Sequence, residues 1–248
     1  MICLVAPELG NGPLNAIIEV DPPLPRVGQR VAFGRSGSRQ TCPVGDVATC
    51  VVAAGGCFVW TPTAPAFEAA PASQRKAIEV LSALAAAQAP EDGLARLALG
   101  QAFADTALAR VAGPRLERVR GWLAGFEFEP PTDLIGLGPG LTPSGDDLMC
   151  GVMLALHAGR QAKALADLSF AVGLVAPRLT APLSCAFLEA AAQGEGAEAL
   201  HAAINALIEG RWDEIVPLAL AAGRIGHTSG WDALSGVALV LSARPTRE

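Results

Sequence analysis

Two stretches of the chain echo one another at a constant offset, and they restrict the fold more than any other feature. Ser144-Gly145-Asp146-Asp147-Leu148-Met149-Cys150-Gly151-Val152 and Ser229-Gly230-Trp231-Asp232-Ala233-Leu234-Ser235-Gly236-Val237 lie 85 residues apart and share Ser, Gly, Asp, Gly and Val. Thr142 and Thr228 stand just upstream of the two serines, and both copies continue as apolar helix. Gly151 and Gly236 would then fall inside their helices, where each costs ~1 kcal/mol relative to alanine. The usual compensation is close approach of another backbone. The expectation is that the two helices pack together near these glycines and bring both Ser-Gly-x-Asp starts to one pocket.

Each copy also has a plainer reading. Ser-x-x-Asp ahead of an apolar run is a capping-box pattern: the serine oxygen accepts an N–H three residues on, and the acid reaches back while meeting the positive end of the helix dipole. That alone would account for Ser144, Asp147, Ser229 and Asp232.

The first copy, however, begins with Gly136-Leu137-Gly138-Pro139-Gly140-Leu141-Thr142-Pro143, which holds more glycine than a cap needs. Gly136, Gly138 and Gly140 permit positive φ and leave room for successive N–H groups to converge on an anion. Gly138, Gly140 and Gly145 would make the nest, as a helix start behind such a loop often does. Gly230 would act likewise in the second copy. Thr142, Ser144, Thr228 and Ser229 would add hydroxyl donors. Asp146, Asp147 and Asp232 would repel a bound phosphate unless a cation or proton intervened. Either Mg²⁺ bridges Asp147 and Asp232, or one carboxylate works as a general base. Proton transfer is expected of Asp146 or of His227, which adjoins the second loop. The loop is neither a Walker A sequence nor a GxGxxG fingerprint.

Other polar residues have structural readings beside functional ones. Cys150, one turn into its helix, reads as a packed thiol; Trp231 reads as a lid or as an anchor for the helix start. His157 and His201 fall on helices without a catalytic partner. Arg178, Thr180 and Ser184 line a pocket or cap a helix, and Gly34-Arg35-Ser36-Gly37-Ser38-Arg39 is an exposed turn or a source of cations.

The remainder of the 248 residues sets the frame. The first ~65 residues carry short apolar stretches at 2–6, 15–20, 30–34, 47–53 and 57–61, separated by Gly/Pro turn signals. From about residue 72 apolar spacing becomes three and four, and helices are expected near 72–89, 91–112, 114–126, 146–158, 161–175, 179–193, 196–208, 213–222 and 232–243. The expected fold class is α+β, with a small β-rich N-terminal module (1–68) followed by a larger helical domain (69–248) that carries the paired loops.

Composition excludes several classes. A net charge of -6 without a basic block argues against a nucleic-acid partner. The hydrophobic share is 51%, yet the longest uncharged run, 47–67, is broken by glycines and prolines, so no membrane partner is expected. Residues 1–6 lack the basic start of a signal peptide, which points to the cytoplasm. The six cysteines (3, 42, 50, 57, 150, 185) form no CxxC, and only three histidines exist, so reduced thiols and no structural zinc are expected.

Over Gly136–Gly151, together with Gly226-His227-Thr228-Ser229-Gly230-Trp231-Asp232, the chain resembles a bacterial family that includes a subunit of oxamate carbamoyltransferase, an enzyme of anaerobic allantoin degradation in purine catabolism. The first motif, GLGPGLTPSGDD, carries most of the resemblance. It implies a carbamoyl transfer, oxalurate plus phosphate giving oxamate and carbamoyl phosphate, by an assembly of different subunits. The implied partners are therefore a small anionic or ureido metabolite, phosphate or carbamoyl phosphate, and other enzyme subunits. A non-catalytic metabolite-binding or assembly subunit is the alternative reading.

Overall fold

The computed structural model describes residues 3–5, 10–17, 31–34, 50–53, 60–101 and 105–243. These residues are mostly helical, which corrects the expected α+β class with its β-rich N-terminal module. The β structure described is limited to β1 (Cys3–Val5) beside β2 (Asn15–Ile17), and β3 (Val31–Gly34) beside β4 (Cys50–Ala53). These are two separate parallel pairs of three and four residues per strand, and no sheet joins them. Short apolar runs between turn signals carry strand propensity but nothing that makes them associate into one layer. Of the stretch expected as a strand at 57–61, only residues 60 and 61 are described, and neither is in a strand. Residues 35–39 of the basic turn lie outside the described residues.

The helices are α1 (Pro71–Gln88), α2 (Ala95–Ala98), α3 (Ala107–Leu123), α4 (Ser144–Ala158), α5 (Ala162–Leu179), α6 (Pro182–Ala192), α7 (Glu198–Ile208), α8 (Ile215–Ala222) and α9 (Ser229–Ala243). One sequence expectation shifts here. Instead of a break near residue 113, the chain interrupts its helices between α2 and α3, and α3 runs straight through Pro114. Thr106 starts α3 by accepting the Ala109 N–H at 3.0 Å, and buried Ala112, Leu116 and Val119 continue one face across the proline. Burial of that face outweighs the missing hydrogen bond.

α4 and α9 form the centre. Both are buried along nearly their whole length, α4 through Leu148, Met149, Val152 and Met153, α9 through Leu234, Val237, Ala238 and Val240. α1, α2, α3, α7 and α8 pack around α9, whereas α5 and α6 pack around α4. A helix apolar on every side is a core helix. Among the described residues, no helix is long and apolar enough to cross a membrane.

Candidate functional site at the crossing of two helix starts

The two glycines inside the repeats set the geometry. A Cβ on Gly151 would overlap the carbonyl oxygen of Ala233, and a Cβ on Gly236 would overlap that of Leu148. Leu148 and Ala233 hold the same place in the two repeats, so the crossing of α4 and α9 has an approximate two-fold relation. Gly145 and Gly230 behave as a second matched pair. Each lies against a carbonyl of its own leading segment, Leu134 and Ala222, where no side chain would fit.

The crossing brings the two N-termini side by side. Thr142 Oγ1 is 3.2 Å from Ser229 Oγ, and Ser144 Oγ is 3.3 Å from Thr228 Oγ1. Each loop thus lends a hydroxyl to the other. This corrects the capping-box reading for Ser144. Pro143 holds the cap position of α4, no side chain caps it, and Ser144 already lies within the helix. Its hydroxyl is therefore available for the partner loop.

Two acids sit behind these hydroxyls. The hydroxyls of Ser229 and Thr142 face Asp147, and those of Ser144 and Thr228 face Asp232. Burial pushes the Asp147 carboxyl up to about 7, with Asp232 and Asp146 adding repulsion and the hydroxyls opposing it. Burial likewise pushes Asp232 up to about 6, against the pull of Ser144, the Leu94 N–H, Thr228 and the Ala95 N–H. Asp232 is 0% exposed. Its Oδ1 accepts the Leu94 and Ala95 N–H groups at 2.7 and 2.9 Å. Oδ2 of Asp232 and Oδ2 of Asp147 are buried, and neither has a hydrogen-bond partner among the described residues. Such an orphaned acceptor costs about 1–3 kcal/mol or more when charged.

The third acid serves another end. Asp146 is 0% exposed. Its Oδ1 accepts the Gly136 N–H at 2.7 Å, and its Oδ2 accepts the Ser184 hydroxyl at 2.6 Å and the Thr180 hydroxyl. Both oxygens are engaged, so the carboxylate fastens the glycine loop and the α5–α6 junction to α4. Asp146, expected as a candidate for proton transfer, thus has both oxygens in contact with the loop and with Thr180 and Ser184.

The expected anion nest is only partly present. Gly136, Gly138 and Gly140 do have positive φ, at 76°, 121° and 95°. Yet the Gly145 N–H donates to Leu137 O at 2.9 Å, and the Gly230 N–H to Ile225 O at 3.0 Å. These two donors, expected to bind substrate, are already used. Gly138 lies against the backbone of Ser144, a Cβ there coming 2.8 Å from the Ser144 nitrogen.

His227 is exposed, and its Nε2 lies 2.9 and 3.1 Å from the two oxygens of Asp92. That contact holds the second loop to the turn carrying Gly93, whose Cα packs on Thr228 and Asp232. The turn at 92–95 thus adjoins the site where the sequence predicts a helix from residue 91; its signal was Pro90-Glu91-Asp92-Gly93. Trp231 is 4% exposed beneath Gly223, an anchor and not a lid. Burial, then Asp147 and Asp146, pushes the Cys150 thiol well above its ordinary range. His201 is buried beside Trp60, its ring centroid 5.8 Å away, and burial followed by His157 lowers it to about 4.

For Mg²⁺, the available donors are Asp147 and Asp232 with their neighbouring hydroxyls. No group of three or more His, Cys, Asp or Glu residues is placed to hold a metal among the described residues. A cavity of about 260 Å³ lies apart from the site, between α4, α5 and α6, lined by Met153, Val172, Cys185 and Leu188.

The loop ahead of α4, both helix starts and everything between them share one likeness. Residues 134–241 match the family model for oxamate carbamoyltransferase subunit AllH. The resemblance drawn from the sequence therefore holds over this segment, which runs from Leu134 into the last turns of α9. The proteins of that family are described as a subunit of oxamate carbamoyltransferase. Neither a curated protein nor a solved structure matches the chain.

Proposed function

We propose that the chain is a carbamoyltransferase subunit that handles a small ureido or carbamoyl metabolite where α4 and α9 start. By the family likeness the reaction is oxalurate plus phosphate giving oxamate and carbamoyl phosphate. The observation that supports the reading is the reciprocal placement of Asp147 and Asp232 behind exchanged hydroxyls, the Oδ2 of each acid buried and without a well-formed hydrogen bond among the described residues. A nitrogen-bearing substrate supplies the missing donors.

In this reading phosphate oxygen attacks the carbamoyl carbon, the bond from that carbon to the amide nitrogen breaks, and the departing nitrogen takes up a proton. A carboxyl raised to about 6 or about 7 retains a proton near neutrality and gives it up readily. Asp147 and Asp232 are accordingly the acid–base candidates, Thr142, Ser144, Thr228 and Ser229 orient the substrate, and Gly138 and Gly140 shape the loop. His227 and Asp146 hold the two loops in place.

A second reading, a metabolite-binding or assembly subunit without catalytic groups, is favoured by the backbone load on Asp232, which ties residues 94 and 95 to α9. The two separate in one assay. The purified chain, alone and with its partner subunits, is given carbamoyl phosphate and oxamate. Loss of turnover in the complete assembly with Asp147→Asn or Asp232→Asn, while assembly persists, supports catalysis at this site. Undiminished turnover with both substitutions supports the assembly reading.

A further inference from the structure

The donor and acceptor balance of the junction limits which end of a ligand it can receive. The groups facing inward are the carboxyls of Asp147 and Asp232 and the four hydroxyls beside them, and Oδ2 of each acid makes no well-formed hydrogen bond among the described residues. The Asp232 side chain is fully buried, so its unpartnered Oδ2 cannot turn to bulk water for compensation. No lysine, arginine or histidine among the described residues forms an ion pair with either acid. Two of the N–H groups expected to receive an anion, those of Gly145 and Gly230, are spent on Leu137 and Ile225. With its two acids ionised, such a surface repels phosphate and accepts N–H.

We infer that the junction of α4 and α9 binds the N–H-bearing end of an amide or urea through Oδ2 of Asp147 and Oδ2 of Asp232, and that the phosphate or carboxylate end of the reactants is held by groups outside this junction. The inference rests on the proposed function and narrows it. Thr142, Asp147, Thr228 and Ser229 are only half-buried, so rotation of a hydroxyl side chain gives a planar amide edge access to the two oxygens. One amide –NH₂ presents two hydrogens to two acceptors, which matches the reciprocal arrangement.

Four small probes of related shape test it by calorimetric titration of the purified full-length chain. Oxamide and oxamate carry amide N–H, whereas oxalate and inorganic phosphate carry none. Oxamide and oxamate are expected to bind at least about tenfold more tightly than oxalate or phosphate, the scale of one or two hydrogen bonds to a charged group. Asp147→Asn turns an acceptor into a donor and should weaken oxamide roughly tenfold while leaving oxalate no weaker. Asp232→Asn serves as the second variant, with a thermal melt to show that it folds; if it does not, Asp147→Asn decides alone. Oxalate or phosphate binding as tightly as oxamide overturns the inference, as does no binding of oxamide, or oxamide binding unaltered by the substitutions. Turnover that depends on Asp147 and Asp232, with phosphate binding here, would sink this inference and leave the proposed function standing. Oxamide binding with undiminished turnover in both variants would do the reverse.

Discussion

Gly151 and Gly236 each lie against the carbonyl oxygen of the residue at the other's equivalent of position 148, Ala233 for one and Leu148 for the other. The crossing of α4 and α9 is therefore a contact between backbones, and helix starts set back from it by less than two turns are held side by side.

Gly151→Ala and Gly236→Ala should each destabilise the chain by about 3 kcal/mol or more, because the obstructing atoms are backbone and cannot rotate aside. Gly173→Ala on α5 is the control. Nothing lies within 4 Å of a Cβ there, so the helix gains propensity and stability by up to about 1 kcal/mol. Urea unfolding followed by circular dichroism measures all three.

Asp146→Ala should cost about 3 kcal/mol, since it strands the buried Ser184 hydroxyl and removes the acceptor of the half-buried Gly136 N–H and Thr180 hydroxyl. Thr180→Val and Ser184→Ala should each cost less, and combining either with Asp146→Ala should add little. Additive losses in that double-mutant cycle would mean that the three groups do not act together.

The contribution of Asp147 and Asp232 to stability should fall as pH rises from about 4 to about 7. His201 opposes this in part, since its lowered value adds stability as pH rises from about 4 to its ordinary 6.5. Burial raises Asp147 to about 7 and Asp232 to about 6 from an ordinary 3.8, so between those limits the two acids hold more protons in the folded chain than in the unfolded one. The contribution is whole below about pH 4 and is lost as pH passes through about 6 and about 7. In Asp147→Asn the decline should be shallower, and the variant should gain on the parent at pH 8 but not at pH 4. Urea midpoints across that range, equal in slope for both proteins, would contradict the assignment.

Cys150 should resist iodoacetamide at neutral pH in the folded chain and react once it is unfolded, because the thiolate is the reactive form and burial suppresses it. Peptide mass spectrometry after brief labelling reads this out. Native labelling of Cys150 at the rate of a free thiol would show that α4 opens near the site.

How much of this was legible in the sequence differs between its parts. The two helix-interior glycines, Gly151 and Gly236, at one fixed offset with four other shared positions, announced a close crossing because glycine has few other reasons to sit mid-helix in both copies. The exchange of hydroxyls was hidden, since a serine at a cap and a serine one residue further in are spelled alike. The offset of 85 paired Asp147 with Asp232 and set Asp146 apart, but it did not say what Asp146 touches. Its partners lie 34 and 38 residues away, and only the fold selects which of two adjacent acids faces them. The turn at 92–95 escaped for the same reason, its tie to Asp232 spanning 138 residues. The N-terminal apolar runs promised a β-rich module, but pairing strands into a layer depends on contacts that no local pattern encodes.

The two hydroxyl exchanges join residues 87 and 84 positions apart, and this bears on when the site comes into being. As the chain leaves the ribosome, the glycine loop and α4 emerge with Asp147 already in place, while the hydroxyl that faces it on Ser229 is still unmade. Four further helices must be synthesised before α9 can cross α4. Until then the apolar flank of α4 lies open, and nascent chains are most exposed to misassociation in that interval. Completion of the acid pair is thus a late event in biogenesis, tied to the placement of the final helix.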